Sequence, residues 1–243
     1  SIYTPLAINP GATLDDGLFL KLGWNLSQGV WLGVYDQHTL AKGPGYPFFL
    51  AVSSWLGISL SLSHALFHCG AAAVLAGVVA RIVGSQALGV IAFCILLWNP
   101  LLPPPSVSRE AVYTGQILMA YGLVTYSLLL AQTSRSTIGA AVAAGFVLGW
   151  CWLTREEGIL LIPGLLVLLI GAAVASRLDE TRMRALRAAA LTAILTFLGV
   201  QAAFQLKNLV NYGAFIGVDF KERNFQVAIS ALQSVRSDGE MMF

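Results

Sequence analysis

Charged side chains are scarce in this sequence of 243 residues. Asp, Glu, Lys and Arg make up only 11% of the chain, whereas apolar residues make up 57% and the mean hydropathy is +0.74. A soluble globular domain carries about 25% charged residues. A chain with so little charge cannot cover a water-facing surface. The composition therefore excludes an ordinary soluble domain and indicates a protein whose main solvent is a lipid bilayer.

Cysteine is also scarce, and the net charge is small. Cys69, Cys94 and Cys151 lie inside apolar segments, match no metal-ligand spacing, and give no disulfide framework because their number is odd. A net charge of +2 gives no reason to expect a nucleic-acid partner. The chain starts at Ser1 without a signal peptide, and we expect a fragment that lacks at least one upstream membrane span.

Long apolar runs dominate the middle of the chain and predict an all-α fold, a polytopic bundle of about six transmembrane helices. The six predicted spans are residues 62–83, 86–102, 111–132, 137–153, 158–176 and 188–206. We divide the chain into a first outer loop with interfacial helices (1–61), the transmembrane bundle (62–206) and an outer-face C-terminal segment (207–243).

The segments that connect these spans alternate in charge. One set of connectors and adjoining span ends is rich in arginine, and the other holds ten of the twelve acidic residues. Short loops rich in Lys and Arg stay on the cytoplasmic side. The alternation therefore predicts that the acidic segments, with Asp15, Glu110 and Glu156, face the outside of the membrane together.

Three shorter segments predict helices that lie in the membrane interface. Residues 14–27 carry leucine at every fourth position, which is typical of one helix face. Residues 46–56 are rich in aromatic side chains, which favour the headgroup region. Residues 224–236 are the third candidate, with apolar side chains on one face.

Asp15 and Asp16 open the first of these interfacial helices. The dipole at a helix N-terminus keeps nearby carboxylates ionised. Such a carboxylate at the membrane rim can accept a proton from a hydroxyl or hold a divalent cation. The alternative interpretation is a pair of water-facing acids that only stabilise the start of the helix.

Positively charged residues lie in the other segments that are predicted to face the outside of the membrane. Lys42 lies in a turn with two glycines and two prolines, and suits either a bound phosphate or the lipid headgroups. Arg109-Glu110 and Arg155-Glu156-Glu157 begin the third and fifth predicted spans. They are either part of a polar cavity or local ion pairs that anchor helix ends. His64 and His68 share a helix face at metal-binding spacing, but the sequence offers no third ligand.

These residues together resemble the GT-C superfamily of membrane glycosyltransferases, in particular its protein O-mannosyltransferase and aminoarabinose-transferase-like branch. The resemblance covers nearly the whole chain. The stretches that carry it are residues 15–20 (DDGLFL), 29–35 (GVWLGVY), 39–51 (TLAKGPGYPFFLA), 108–110 (SRE) and 153–163 (LTREEGILLIP).

The resemblance implies which residues would do the chemistry. The family's leading acidic residue of the first outer loop falls on Asp15, with Asp16 beside it, and its second acidic position falls on Glu110. The family's Lys-Pro-Pro loop, close to the carrier phosphate, corresponds to Lys42-Gly43-Pro44, with glycine in place of the first proline. We assign substrate binding to the other polar residues of these motifs, which are Lys42, Tyr46, Arg109, Arg155 and Glu156.

The expected function is inverting transfer of a hexose or pentose from a polyprenyl-phosphate donor to an acceptor hydroxyl. The acceptor is a lipid, a protein or a glycan, and the surrounding partner is membrane lipid. No cofactor is required by this interpretation, and Mg²⁺ or Mn²⁺ held by Asp15 and Glu110 is an option because some relatives need one. The expected location is the bacterial inner membrane, with the active site facing outside. The alternatives are a transporter or lipid flippase, and a non-catalytic membrane scaffold.

Overall fold

The computed structural model describes residues 13–36, 38–98, 107–130 and 134–218, together with positions 227, 230 and 231. Every regular element in these residues is helical, so the all-α prediction is confirmed for the described part of the chain. In chain order the helices are α1 (Thr13–Ser27), α2 (Gly45–Trp55), α3 (Leu60–Val83), α4 (Gln86–Leu97), α5 (Arg109–Thr125), α6 (Ser134–Thr154), α7 (Ile162–Ser176) and α8 (Glu180–Tyr212). A π-helical turn (Tyr126–Leu130) follows α5, and a 3₁₀ helix (Glu156–Leu161) precedes α7.

The two predicted interfacial helices near the start of the chain form a packed pair. Helix α1 lies against α2, and the indole nitrogen of Trp55 donates to the carbonyl oxygen of Ser27 at 2.9 Å, which joins the two C-terminal ends. Phe19 of α1 is buried with Tyr46 and Phe49 of α2 in one hydrophobic cluster. The third predicted interfacial helix, residues 224–236, lies almost wholly outside the described residues.

Helices α3 and α4 form a hairpin. Gly84 ends α3 at φ +72°, a left-handed conformation that glycine adopts without strain, and Ser85 then caps α4 by accepting from the amide of Leu88. The described part of α4 has only 12 residues and ends at Leu97. This helix is shorter than the roughly 20 residues that a membrane crossing needs, in contrast to the predicted span 86–102.

Helices α5, α6 and α8 pack around close contacts between small residues. Gly115 and Gly122 of α5 lie against α3, where Leu75 would be 3.2 Å from an added Cβ at Gly122. Gly149 of α6 lies against Val200 of α8 in the same way. Such small residues allow helix backbones to approach closely, which supports packing in lipid.

Helix α8 is much longer than the sequence predicted. It has 33 residues and begins at Glu180, eight residues before the predicted span 188–206, so the charged stretch ahead of the span is helical as well. The side chain of Asp179 accepts hydrogen bonds from the amides of Thr181 and Arg182 and starts the helix ahead of its apolar part. The helix also crosses the predicted domain boundary at residue 206.

Four helical segments of the described chain are long and apolar enough to cross a membrane, judged by length and composition. They are Leu60–Val83, Arg135–Thr154, Glu157–Ser176 and Glu180–Tyr212. Four of the six predicted spans thus correspond to helices that qualify by this measure, and the described helices within the predicted spans 86–102 and 111–132 are shorter than it requires. Helix α5 has 17 residues before its π-helical turn, and α4 is short. The large apolar side chains exposed on α7 and α8 are those that a bilayer would cover.

Candidate functional site

Charged side chains from four separate elements meet at one end of the helix bundle. Helix α1 and the loop before α2 contribute Asp15, Asp16 and Lys42, and the starts of α5 and of the 3₁₀ helix contribute the others. We call this set the charged rim, and its members are Asp15, Asp16, Lys42, Arg109, Glu110, Arg155 and Glu157; the uncharged Tyr46 of α2 lies next to them. The structure thus brings together the residues that the sequence singled out, apart from Glu156, whose side chain lies outside the described part.

Lys42 links the loop before α2 to the start of α1. Its Nζ lies 3.3 Å from Oδ2 of Asp15, and its side chain is 19% exposed against 48% for the carboxylate. The exposed oxygens of Asp15 are therefore accessible to a substrate, whereas the lysine is largely enclosed. A half-exposed ion pair of this kind contributes little to stability, so its position matters more for chemistry than for folding.

Two glycines explain how the Lys42 loop is seated. A Cβ at Gly43 would lie 2.9 Å from the carbonyl carbon of Leu153, and a Cβ at Gly45 would lie 2.6 Å from the amide nitrogen of Thr154. The loop therefore rests directly on the backbone at the end of α6. The indole nitrogen of Trp150 donates to the carbonyl oxygen of Gly45 at 2.8 Å and holds the loop there. Any residue with a Cβ at position 43 would collide with this backbone, which explains the glycine there.

Tyr46 lies under the charged rim and is fully buried. Its ring contacts Phe19 edge-on at 5.3 Å between centroids. Burial raises the pKa of Tyr46 far above its ordinary value, and the negative charges of Asp16 and then Glu110 raise it further, while a hydrogen bond with the backbone of Ser108 acts in the opposite direction. The phenol therefore stays protonated between carboxylates from two different helices. Asp16 itself is only 8% exposed, in contrast to Asp15.

Arg155 joins the corner between α6 and α7 to the start of α5. Its NH1 lies 3.5 Å from Oε1 of Glu110, and its Nε lies 3.0 Å from Oε2 of Glu157. The guanidinium also stacks over the ring of Tyr113 at 5.3 Å from the centroid. Arginine suits this position because its planar fork can bind two carboxylates and an aromatic face at once.

Arg109 makes the corresponding connection between α5 and α1. Its Nε lies 3.6 Å from Oε1 of Glu110, and its guanidinium carbon lies 5.9 Å from the ring centroid of Phe19. Ser108 fixes the other oxygen of Glu110, since its hydroxyl donates to Oε2 at 3.1 Å. Glu110 therefore forms ion pairs with both Arg109 and Arg155, and guanidinium groups of this kind also bind phosphate oxygens.

The two histidines of α3 have different neighbours. The ring of His64 stacks on Phe49 at 5.3 Å, and its Nε2 lies 3.5 Å from the hydroxyl oxygen of Tyr46. His68 instead lies with Nε2 3.0 Å from the carbonyl oxygen of Leu96 in α4. Within the described residues, no group of three or more His, Cys, Asp or Glu side chains is arranged to hold a metal ion.

Sequence reasoning missed several residues that support the rim. Tyr113 follows Arg109 by four positions and therefore lies on the same helix face, which was a usable signal. Gln116 and Thr154 form a buried hydrogen bond of 2.9 Å between α5 and α6 directly behind Gly45. No local pattern indicates this pair, because 38 positions separate the two residues.

Two apolar cavities are lined by residues that are close in sequence to members of the rim. The α7 groove has a volume of about 600 Å³ and lies between α6, α7 and α8, with Trp152, Gly158, Leu161, Ile162 and Phe197 among its walls. The α2 groove has a volume of about 310 Å³ and lies between α2, α6 and α8, with Pro44, Phe48, Phe146, Trp150 and Lys207 among its walls. Each groove therefore touches a segment that carries a rim cation, Arg155 for the first and Lys42 for the second.

The loop between α1 and α2 is hydrogen-bonded to the C-terminal end of α8. The indole nitrogen of Trp31 donates to Oδ1 of Asn208 at 2.9 Å, and the hydroxyl of Tyr212 lies 3.0 Å from the carbonyl oxygens of Trp31 and Gly33. Asn208 is fully buried and also donates to the carbonyl oxygen of Ile216. These contacts, which we call the loop latch, fix the connection between α1 and Lys42.

No protein-family model, curated protein or solved structure matches this chain. Function is therefore inferred from what the charged rim and its two grooves can do chemically. The rim offers exposed carboxylate oxygens beside partly enclosed cations, and the grooves offer apolar surface within the same end of the bundle.

Proposed function

We propose that this chain is an integral membrane glycosyltransferase that moves a sugar from a polyprenyl-phosphate donor to an acceptor hydroxyl. The observation that carries the proposal is the convergence of the Lys42–Asp15 pair and the Arg155–Glu110 pair at one end of the bundle, with the α7 groove lined by Gly158, three positions after Arg155. A substrate that joins a long apolar tail to a phosphate and a sugar needs these three features together. The resemblance to GT-C enzymes points to the same reaction.

Asp15 is the candidate general base. Its half-exposed carboxylate can take the proton of the acceptor hydroxyl as the hydroxyl oxygen attacks the anomeric carbon. The bond between that carbon and the phosphate oxygen breaks, and the electron pair leaves with the polyprenyl phosphate. This direct displacement inverts the configuration of the sugar.

The rim cations are the candidate phosphate ligands. Lys42 supplies a point charge, and Arg109 and Arg155 supply planar hydrogen-bond donors that match phosphate oxygens. Their carboxylate partners keep them in place before the donor binds. As negative charge develops on the departing phosphate, fixed cations stabilise it without further rearrangement.

The α7 groove is the candidate seat of the isoprenoid tail. Its walls are mostly aliphatic and aromatic, and they include Gly158, which follows Arg155 by three positions. A tail in this groove would place the attached phosphate close to that arginine. Burial of an apolar chain here also gives binding energy at a distance from the reacting atoms.

The charge distribution supports an orientation with the rim outside. The opposite end of the bundle carries Arg81 at the end of α3, Arg135 at the start of α6, and Arg182 and Arg184 at the start of α8. Arginine-rich ends remain on the cytoplasmic side. The rim then faces the periplasm of a bacterial inner membrane.

The test is sugar transfer by Asp15→Asn in the full-length protein. Membranes that contain the protein are supplied with radiolabelled polyprenyl-phosphate sugars, and label in membrane acceptors is measured. Loss of a general base costs about 10²- to 10⁴-fold in rate, and we expect a loss in that range. Asp36→Asn is the matched control, because Asp36 is an acid of the same N-terminal segment that pairs with Lys21 outside the rim. Normal transfer and normal expression of Asp15→Asn would refute the proposal.

A further inference from the structure

The α2 groove has the character of a binding site for one lipid chain. Its walls come from α2, α6 and α8 and are almost entirely apolar, with Phe48, Phe146, Trp150 and Phe204 among them. Phe48 and Phe146 are more than two-fifths exposed, so the groove opens sideways. Helices α6 and α8 are among the segments long enough to cross a membrane, so this opening faces the bilayer when they are inserted.

The indole N–H groups at the groove already have partners inside the protein. Trp31 donates to Asn208 and Trp150 donates to the carbonyl oxygen of Gly45. The two rings therefore present apolar faces to the groove, and their N–H groups need no polar ligand because each already has an acceptor. An occupant of this part of the groove is accordingly a hydrocarbon chain.

Lys207 adds one positive charge to the wall of this groove. It belongs to α8, its side chain is exposed, and its Nζ lies 5.9 Å from the ring centroid of Trp31. Among the residues that the structure describes, no carboxylate lies within ion-pair distance of its Nζ. A single cation beside an apolar groove is complementary to a molecule that joins a hydrocarbon chain to one phosphate.

The geometry points to one anionic glycerophospholipid of the surrounding bilayer as the occupant, with an acyl chain in the α2 groove and its phosphate at Nζ of Lys207. This inference depends on insertion of the helices in a membrane and not on glycosyl transfer. The same groove is walled by Pro44 and Gly45, which directly follow Lys42 and Gly43. A bound acyl chain therefore packs against the loop that carries a rim cation, and supports its position.

The test uses photoreactive phospholipids. The full chain is reconstituted in nanodiscs that contain phosphatidylglycerol or phosphatidylcholine with a diazirine on the acyl chain, and labelled peptides are mapped by mass spectrometry after illumination. We expect phosphatidylglycerol to label the segments around Phe48 and Phe146 about fivefold more than phosphatidylcholine, the selectivity that one lysine at a membrane surface gives. Lys207→Gln should abolish this preference, and Lys207→Arg should keep it.

Lys21→Gln is the matched control, because it removes an exposed lysine of the same end of the molecule that lies outside the groove. The preference should survive that change. Equal labelling by the two lipids, or an unchanged preference in Lys207→Gln, would overturn the inference. Displacement of the label by polyprenyl phosphate at concentrations where added phosphatidylglycerol has no effect would also overturn it, since the groove would then belong to an isoprenoid.

Discussion

Substitution of Gly43 by alanine tests how closely the Lys42 loop depends on the end of α6. The added Cβ would lie 2.9 Å from the carbonyl carbon of Leu153 and closer still to its oxygen. Both atoms belong to the backbone, so no side chain can rotate away to relieve the contact. The loop and the end of α6 have to separate in the Gly43→Ala variant.

The size of the effect follows from this distance. Ordinary contact begins at 3.4 Å, so the Cβ and the carbonyl carbon must separate by at least about 0.5 Å, and the oxygen requires more. Overpacking of this kind costs about 1–3 kcal/mol. Each kcal/mol lowers the melting temperature of a chain this size by about 2–4 °C. If the loop moves, Lys42 moves with it. Under the proposed mechanism Lys42 binds the donor phosphate, and a misplacement of about 1 Å can cost 10²-fold in rate.

The assay is thermal unfolding in detergent, followed by tryptophan fluorescence, together with sugar transfer in membranes. Gly139→Ala is the matched control, because a Cβ at that position on α6 would meet no heavy atom within 4 Å. We expect Gly139→Ala to keep its melting temperature and Gly43→Ala to lose several degrees. Equal melting temperatures and equal transfer in the two variants would show that the contact between the loop and α6 imposes no constraint.

Three further substitutions test other parts of the site. Tyr46→Phe removes a buried hydroxyl that contacts Nε2 of His64 and hydrogen bonds with the backbone of Ser108, and denaturant unfolding should show a loss of about 1 kcal/mol, with no loss if these contacts do not stabilise the fold. Arg155→Lys keeps the charge but not the planar fork, so the KM for the donor should rise several-fold, whereas an unchanged KM would remove Arg155 from phosphate binding. Hydrogen bonds from Lys21 and from neighbouring groups lower the pKa of Asp36. Its contribution to the stability of the fold is therefore present above about pH 4 and is lost as the pH falls through the lowered pKa of the folded state. The free energy of unfolding of Asp36→Asn should therefore change less between pH 6 and pH 2 than that of the unsubstituted protein. The difference between the two changes should stay below about 1 kcal/mol, because the ion pair of Asp36 with Lys21 is exposed.

Much of the helical framework near the start of the chain was predictable. The segment predicted at 14–27 is observed as Thr13–Ser27, the one at 46–56 as Gly45–Trp55, and the one at 62–83 as Leu60–Val83. Periodic or continuous apolar residues mark these helices, and Gly57 and Gly84 mark two of their ends. Local sequence is sufficient where burial and turn chemistry agree.

The start of α8 was not predictable from hydropathy. The stretch from Glu180 to Arg187 is rich in charged residues, so a membrane span predicted from hydropathy cannot include it. Its residues nevertheless favour helix, Asp179 caps the first turn, and Arg184 reaches back to Glu180 across one turn at 3.3 Å. Backbone hydrogen bonding continues outside the apolar part of a helix, so the helix and the apolar run end at different residues.

The residue types at the rim were visible in the sequence, but their partners were not. The turn around Lys42 and the acidic pair at Asp15 have distinctive composition. The contact of Tyr46 with His64 of another helix, and the pairing of Trp31 with Asn208 across 177 positions, follow from helix packing alone. No pattern within a short window contains that information.

The loop latch implies an order of events when the protein is made. Trp31 and its partner Asn208 are 177 positions apart, which corresponds to roughly 9–35 s of synthesis at 5–20 residues per second. During this delay the segment that bears Asp15 and Lys42 has no anchor on α8. The segment with Asp15 and Lys42 is thus synthesised well before the residue that anchors it, and a chain cut short before Asn208 would carry these side chains without the loop latch.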